Sequence, residues 1–107
     1  MRKLLSLRGN ICIYQGEELG LHETSVDFDD IQDPFGRAFW PDFKGRDGCR
    51  TPMPWEKNQK NLGFTRSTPW LKANENYKNY AVDVQENDPN SMLNLTRKLI
   101  MERKIAT

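Results

Sequence analysis

From Gly20 to Asn87 the chain runs without one sustained apolar period, and aspartate, asparagine, proline, glycine and aromatic residues dominate it. Compact domains rarely contain an irregular connection of that size unless it is functional. The elements around it are slight. Ile11-Cys12-Ile13-Tyr14 is an apolar, β-branched run between Gly9 and Gly16, the pattern of a short strand buried on both faces, as in a parallel sheet. Ahead of it, Leu4–Leu7 has helical apolar character, and Arg8-Gly9 reads as a helix stop, a basic last turn followed by glycine. Beyond Asn87 comes one helix, Pro89 to about Lys104, with Asp88 as the expected N-cap and Pro89 in the first helical position. Met92, Leu93, Leu95, Leu99 and Ile100 give that helix a broad apolar stripe, and Arg97, Lys98, Arg103 and Lys104 are expected to face water or complement its C-terminus. Short helical turns are expected at Asp27–Gln32 and Asn76–Gln85, the second with Tyr77, Tyr80, Ala81 and Val84 on one face.

Helix, tight turn and buried strand in that order make half of a β/α repeat, so the expected fold class is α/β. One helix end, one central-type strand and one helix cannot bury each other's apolar surface. A piece of a larger fold is therefore expected, with no complete domain of its own. Composition agrees: hydrophobic residues are 36% and, with the seven glycines, about 43%, against roughly 45–50% on that count in globular domains. The 10% aromatic share argues against plain disorder.

Charge excludes some partners. Sixteen basic against fifteen acidic residues leave a net charge of +1, which gives no general attraction to nucleic acid or an anionic membrane. No apolar run approaches the roughly 18–20 residues that span a bilayer. The opening Met1-Arg2-Lys3-Leu4-Leu5-Ser6-Leu7-Arg8 is too interrupted for a signal h-region, so export by it is not expected. Cys12 and Cys49 stand far apart and outside any CxxC pattern, which suits reduced thiols in a cytoplasmic protein. His22 is the single histidine, without neighbours of metal-ligand type; it reads as a solvated or hydrogen-bonded loop residue, and neither metal nor cofactor is expected.

Binding chemistry concentrates in Gly45-Arg46-Asp47-Gly48-Cys49-Arg50-Thr51-Pro52-Met53-Pro54-Trp55. Pro52 and Pro54 impose an extended course on Thr51 and Met53, so the segment is rigid and presents guanidinium forks beside an indole. Such a surface suits hydroxyl-rich or anionic ligands. Arg46, Asp47 and Arg50 are open to two interpretations. They can form a local ion pair that stiffens a surface loop, or one arginine can brace the loop through Asp47 while the other, Arg50 for preference, offers its fork to a substrate. Glu17 and Glu18 do not make a catalytic pair, because neighbours on an extended chain point to opposite sides. One of them can line a site while the other makes a structural hydrogen bond. Phe39, Trp40, Trp55, Phe64 and Trp70 are expected to pack the interior of the long loop rather than to serve as sugar platforms.

Several segments in order resemble one family: Leu7-Arg8-Gly9, Tyr14-Gln15-Gly16-Glu17-Glu18-Leu19-Gly20, Asp33-Pro34-Phe35-Gly36, the block from Gly45 to Trp55, Gly63-Phe64, Trp70-Leu71, and Asp88-Pro89-Asn90-Ser91-Met92-Leu93 into Arg97-Lys98-Leu99. Together they resemble the alpha-glucosidase and oligo-1,6-glucosidase branch of the alpha-amylase superfamily, glycoside hydrolase family 13. The resemblance implies a (β/α)8 barrel, of which this chain would hold the end of the seventh helix, the eighth strand at Ile11–Tyr14, the eighth strand-to-helix loop and the eighth helix. It implies a retaining enzyme acting on short α-linked glucosides, whose catalytic carboxylates lie on earlier strands in motifs this chain lacks. Arg50 would match the arginine that binds the terminal glucose, Arg46 and Asp47 loop residues near the same subsite, and Glu17 and Glu18 strand-end positions at the rim. The partners implied are an oligosaccharide or α-glucoside and the remainder of the barrel. Two alternatives stand beside this: a non-catalytic sugar-binding or complementing fragment, and a fragment of a sucrose isomerase or transglucosidase. The chain departs from the family pattern at Asn10, Lys72 and Thr96, where the family usually has Thr-Pro, a nearby proline and an aromatic residue.

Overall fold

The computed structural model describes residues 1–106. Among the described residues four α-helices occur in chain order: α1 at Arg2–Leu5, α2 at Pro34–Phe39, α3 at Val82–Glu86 and α4 at Met92–Ala106. Between them lie short 3-10 segments at Glu17–Leu19, Phe28–Asp30, Asp47–Cys49, Lys60–Gly63 and Glu75–Tyr80. The long region from Gly20 to Asn87 is thus a chain of tight turns, as its composition requires.

The expected strand at Ile11–Tyr14 does not form, and no strand occurs among the described residues. A strand is completed by hydrogen bonds to a neighbour, and no described segment pairs with this one. Its burial still alternates, with Ile11 and Ile13 half-buried and Cys12 and Tyr14 exposed, instead of being buried on both faces. The first helix ends at Leu5, ahead of the stop expected at Arg8-Gly9, and Leu7 lies outside it, half exposed. Arg103 supplies the closure there: its guanidinium donates to the carbonyls of Leu5 at 2.8 Å and Leu7 at 2.6 Å, and also to that of Gly9. It therefore clasps the chain's beginning to α4 instead of facing water.

At the other end Ser91, and not Asp88, caps α4. Its carbonyl accepts the N–H of Leu95 at 3.0 Å and its hydroxyl accepts that of Asn94 at 3.2 Å. Asp88 closes the preceding turn, taking the N–H of Asn90 on its side chain and that of Ser91 on its carbonyl. Pro89 lies inside this turn, so the helix starts later than the aspartate-proline signal suggests. Along α4, Leu99 is buried, Leu93, Leu95 and Ile100 are half-buried, and Met92 and Ile105 are exposed. Thr96 is buried in the same stripe, its hydroxyl returned to the carbonyl of Met92 at 2.8 Å.

Packing centres on α4, which meets α1, α3 and the turn Glu17–Leu19. Gln85 ties these together from a buried position. Its Nε2 donates to the carbonyls of Leu19 at 2.9 Å and Tyr80 at 2.8 Å, while its Oε1 accepts the N–H of Leu93 at 2.9 Å. Within the long loop, Ile31, Met53, Leu62, Leu71, Tyr77 and Ala81 are also buried.

The whole is open. Its radius of gyration is 16.1 Å, where a closed domain of this length has about 13 Å. It exposes 7888 Å², against about 6200 Å² for a folded monomer of this mass. Large apolar residues are among those left exposed. Phe39, Trp55, Phe64 and Trp70, expected inside the loop, are instead between 46% and 60% exposed. Trp40 alone of that set is half-buried, leaning on Phe28 with ring centroids 5.5 Å apart. A loop of short turns has too little interior to enclose so many rings. No helix among the described residues is long and apolar enough to cross a membrane.

Candidate functional site

The Gly45–Trp55 block carries one helical turn and has no regular element from Pro52 to Trp55. Asp47–Cys49 makes one 3-10 turn, closed by Arg50 N–H to the Asp47 carbonyl at 2.9 Å, and the chain bends at Thr51 before Pro52 and Pro54. Gly48 lies in that turn against another segment: a Cβ there would collide with the Thr24 carbonyl and the Glu23 side chain. Only glycine permits this approach.

Asp47 is buried at 1% exposure, so its carboxylate faces into the loop. Oδ2 accepts the backbone N–H groups of Gln32 at 2.6 Å and Asp33 at 3.0 Å. Oδ1 has no hydrogen-bond partner among the described residues and lies 3.9 Å from Arg50 Nη1. The same Nη1 lies 3.6 Å from Asp33 Oδ2. Arg50 is therefore backed by two interior carboxylates at more than hydrogen-bond length, while 41% of its side chain remains exposed.

Asp33, within the Asp33-Pro34-Phe35-Gly36 motif, is the node of the site. Its Oδ1 caps α2 through the N–H of Phe35 at 2.9 Å, and its Oδ2 accepts the N–H of Arg46 at 2.9 Å. The N–H of Arg46 holds the carboxyl below the usual carboxylate range, helped by those of Phe35 and Gly36 and by the Arg50 charge, against partial burial. The Asp-Pro pair is a legible cap signal: aspartate before proline at a helix start.

Arg50 opens into a cavity of about 290 Å³ whose walls include Tyr14, Glu17, Glu23, Phe64 and Tyr77. Here the division between the two glutamates holds. Glu17 lines the cavity, while Glu18 turns back to accept the N–H of Gly16 at 2.7 Å. Both sit in the 3-10 turn Glu17–Leu19 and not on an extended chain, because Gly16 at φ 101° reverses the backbone. Arg46 is exposed and does not line the cavity; its guanidinium has no hydrogen bond or ion pair among the described residues. Of the two arginines, Arg50 is thus the one braced by Asp47. Across the cavity, the Tyr14 phenol meets the Cys49 thiol at 3.7 Å, and that hydrogen bond pushes its pKa up while Arg50 and Arg46 pull the other way.

Behind the wall lies a polar chain of fixed direction. The Tyr77 hydroxyl donates to the His22 carbonyl, so it must accept from Thr24 Oγ1 at 2.8 Å. Thr24 Oγ1 then accepts from Asn74 Nδ2 at 3.0 Å and from the Thr51 hydroxyl at 3.3 Å. The His22 ring is exposed and stands edge-on to Tyr77 and Tyr80. Thr24 has no sequence signal, since its side-chain partners lie 27 to 53 residues away. The assembled cavity joins one guanidinium, two carboxylates and aromatic rings, which together can hold a polyhydroxylated ring by its edges and face.

The family model described as "Alpha amylase, catalytic domain" matches residues 2–107. A probable alpha-glucosidase of Rhizobium meliloti (strain 1021) is 55% identical over 101 residues, covering 94% of this chain and 18% of that protein. The solved structure of the alpha-glucosyl transfer enzyme XgtA superposes with a TM-score of 0.91 at 53% identity, over 96% of this chain and 19% of that one. An isomaltulose synthase mutant from Erwinia rhapontici NX5, solved with D-glucose, superposes with a TM-score of 0.85 at 39% identity, over 96% of this chain and 22% of that one. The chain thus spans about a fifth of the length of the relatives it matches. With that match over nearly its whole length, the chain belongs to the alpha-amylase catalytic-domain family.

Proposed function

We propose that this chain is the closing segment of an alpha-glucosidase-type (β/α)8 barrel: the last strand at Ile11–Tyr14, the eighth strand-to-helix loop and, as α4, the last helix. In this reading it supplies the substrate-binding loop of a retaining glycoside hydrolase acting on short α-linked glucosides, while the bond-breaking carboxylates come from the preceding strands. The observation that carries it is the cavity itself, where the Arg50 fork is backed by Asp33 and Asp47 and faces Glu17, Tyr14 and Tyr77. An arginine whose charge is balanced from behind suits hydrogen bonds to neutral hydroxyls. The unpaired Ile11–Tyr14 segment and the exposed rings of Trp55, Phe64 and Trp70 suit a surface covered by the rest of the barrel. The exposed thiols Cys12 and Cys49 suit a cytoplasmic protein.

Titration of the 107-residue chain with methyl α-D-glucoside or maltose tests the binding role. Arg50→Ala is expected to abolish the response and Arg46→Ala, outside the cavity wall, to leave it unchanged; binding by Arg50→Ala equal to that of the parent sequence refutes the assignment. The isolated chain is expected to release no nitrophenol from an aryl α-glucoside, and sustained turnover refutes the division of labour. A second reading, transglucosylation or sucrose isomerisation, is favoured by the superposition on XgtA and on the isomaltulose synthase mutant. Product analysis on sucrose, after co-expression with the remaining barrel, separates the two.

A further inference from the structure

We infer that Thr24 is a positioning residue for Arg50, an inference that rests on the reading of the cavity as a glucoside site. Thr24 reaches the arginine loop twice, once on each side of the Cys49-Arg50 pair. Its backbone N–H donates to the Gly48 carbonyl at 2.8 Å, and its hydroxyl oxygen accepts the Thr51 hydroxyl at 3.3 Å. The residue is itself fixed, because its hydroxyl proton is committed to Tyr77 and its second lone pair to Asn74. Tyr77 is 3% exposed and locked in turn on the His22 carbonyl, so the whole chain of donors has one direction and no spare partner.

The consequence concerns where the guanidinium can go. Asp33 and Asp47 attract it, but at 3.6 Å and 3.9 Å they do not fix it by hydrogen bonds. Its backbone is set by the 3-10 turn before it and Thr51 after it, and Thr24 anchors both. Releasing Thr24 lets Arg50 settle onto the unpartnered Oδ1 of Asp47, withdrawing its fork from the cavity. Gly48 belongs to the same device, since a Cβ there would push Thr24 off the turn.

Amide hydrogen exchange and ligand titration of the 107-residue chain test this with Thr24→Val, Thr24→Ser and Thr51→Val. Thr24→Val keeps the shape and removes the hydroxyl. It is expected to speed exchange at Cys49 and Arg50 about tenfold, the loss of roughly one hydrogen bond's worth of protection, with the amides of α4 unchanged. Thr24→Ser restores the hydroxyl and is expected to restore the slow exchange. Unchanged exchange at Cys49 and Arg50 in Thr24→Val, or equal acceleration in Thr24→Ser, overturns the inference. Should Thr24→Val also loosen α4, Thr51→Val decides, because it removes only the bond beside Arg50; unchanged Arg50 exchange there overturns the inference. Methyl α-D-glucoside is the ligand probe: binding by the parent chain and by Thr24→Ser with loss in Thr24→Val supports the positioning role, and equal binding by all three overturns it. Failure of the parent chain to bind refutes the glucoside reading instead, while the exchange rates still decide what Thr24 holds.

Discussion

Replacing Gln85 with methionine tests the account of what holds this open fold together. The side chain is 5% exposed and makes three hydrogen bonds, to the carbonyls of Leu19 and Tyr80 and from the N–H of Leu93. Methionine fills a similar volume but makes none of them. At about 1 kcal/mol net for each bond, the loss is about 3 kcal/mol. Even a closed domain has only about 5–15 kcal/mol in total, so for this open chain the fraction lost is large. Urea melts followed by tryptophan fluorescence read it directly: with a slope of about 1–3 kcal/mol per molar, the midpoint falls by roughly 1–3 M. A midpoint lowered by less than about 0.3 M refutes the assignment of Gln85 as the tie between the Glu17–Leu19 turn and α4. Gln85→Glu adds a sign. The carboxylate keeps an acceptor for Leu93 but sets negative oxygen against two carbonyls, which raises its folded pKa above the unfolded value of about 4.3. The folded state then binds the extra proton, so the variant's deficit is greatest at neutral pH and shrinks as pH falls through the raised pKa. A deficit that grows on acidification refutes the geometry.

Three further outcomes follow from the site. Asp33 has a folded pKa below its unfolded one, so its stabilisation is complete above about pH 4 and is lost as pH falls from there through the folded value. Asp33→Asn is therefore expected to flatten the melting temperature below about pH 4, and an unaltered acid limb refutes the lowered pKa. Gly48→Ala drives a Cβ into the Thr24 carbonyl and is expected to destabilise by about 1–3 kcal/mol with loss of methyl α-D-glucoside binding; a melt matching the parent chain refutes the close approach. Leu62 is wholly buried at φ 55°, so its side chain and not its backbone favours the fold there, and Leu62→Ala is expected to remove about 2–5 kcal/mol in the same urea melts. A change below about 1 kcal/mol refutes its place in the loop's core.

Local chemistry made much of this legible along the chain. Proline, glycine and aspartate forbid long elements between Gly20 and Asn87, and short turns are what formed. The apolar stripe of α4 announced a helix, and Pro52 and Pro54 announced the non-helical end of the Gly45–Trp55 block, because both depend on neighbours within a few residues. Errors arose where a distant partner makes the choice. Ile11–Tyr14 carries a strand's composition, but a strand needs a second one beside it. The rings of Phe39, Trp55, Phe64 and Trp70 were expected inside, and whether a ring is covered depends on surface contributed from elsewhere.

Residue types and their spacing marked the Gly45–Trp55 loop and its two arginines as candidates. Which arginine is braced, why Asp47 faces inward, and how Asp33 and Thr24 enter the site were settled by contacts spanning up to 53 residues. Backbone preference acts between neighbours, whereas the burial of a carboxylate or the direction of a hydroxyl proton is fixed only when remote segments close around it.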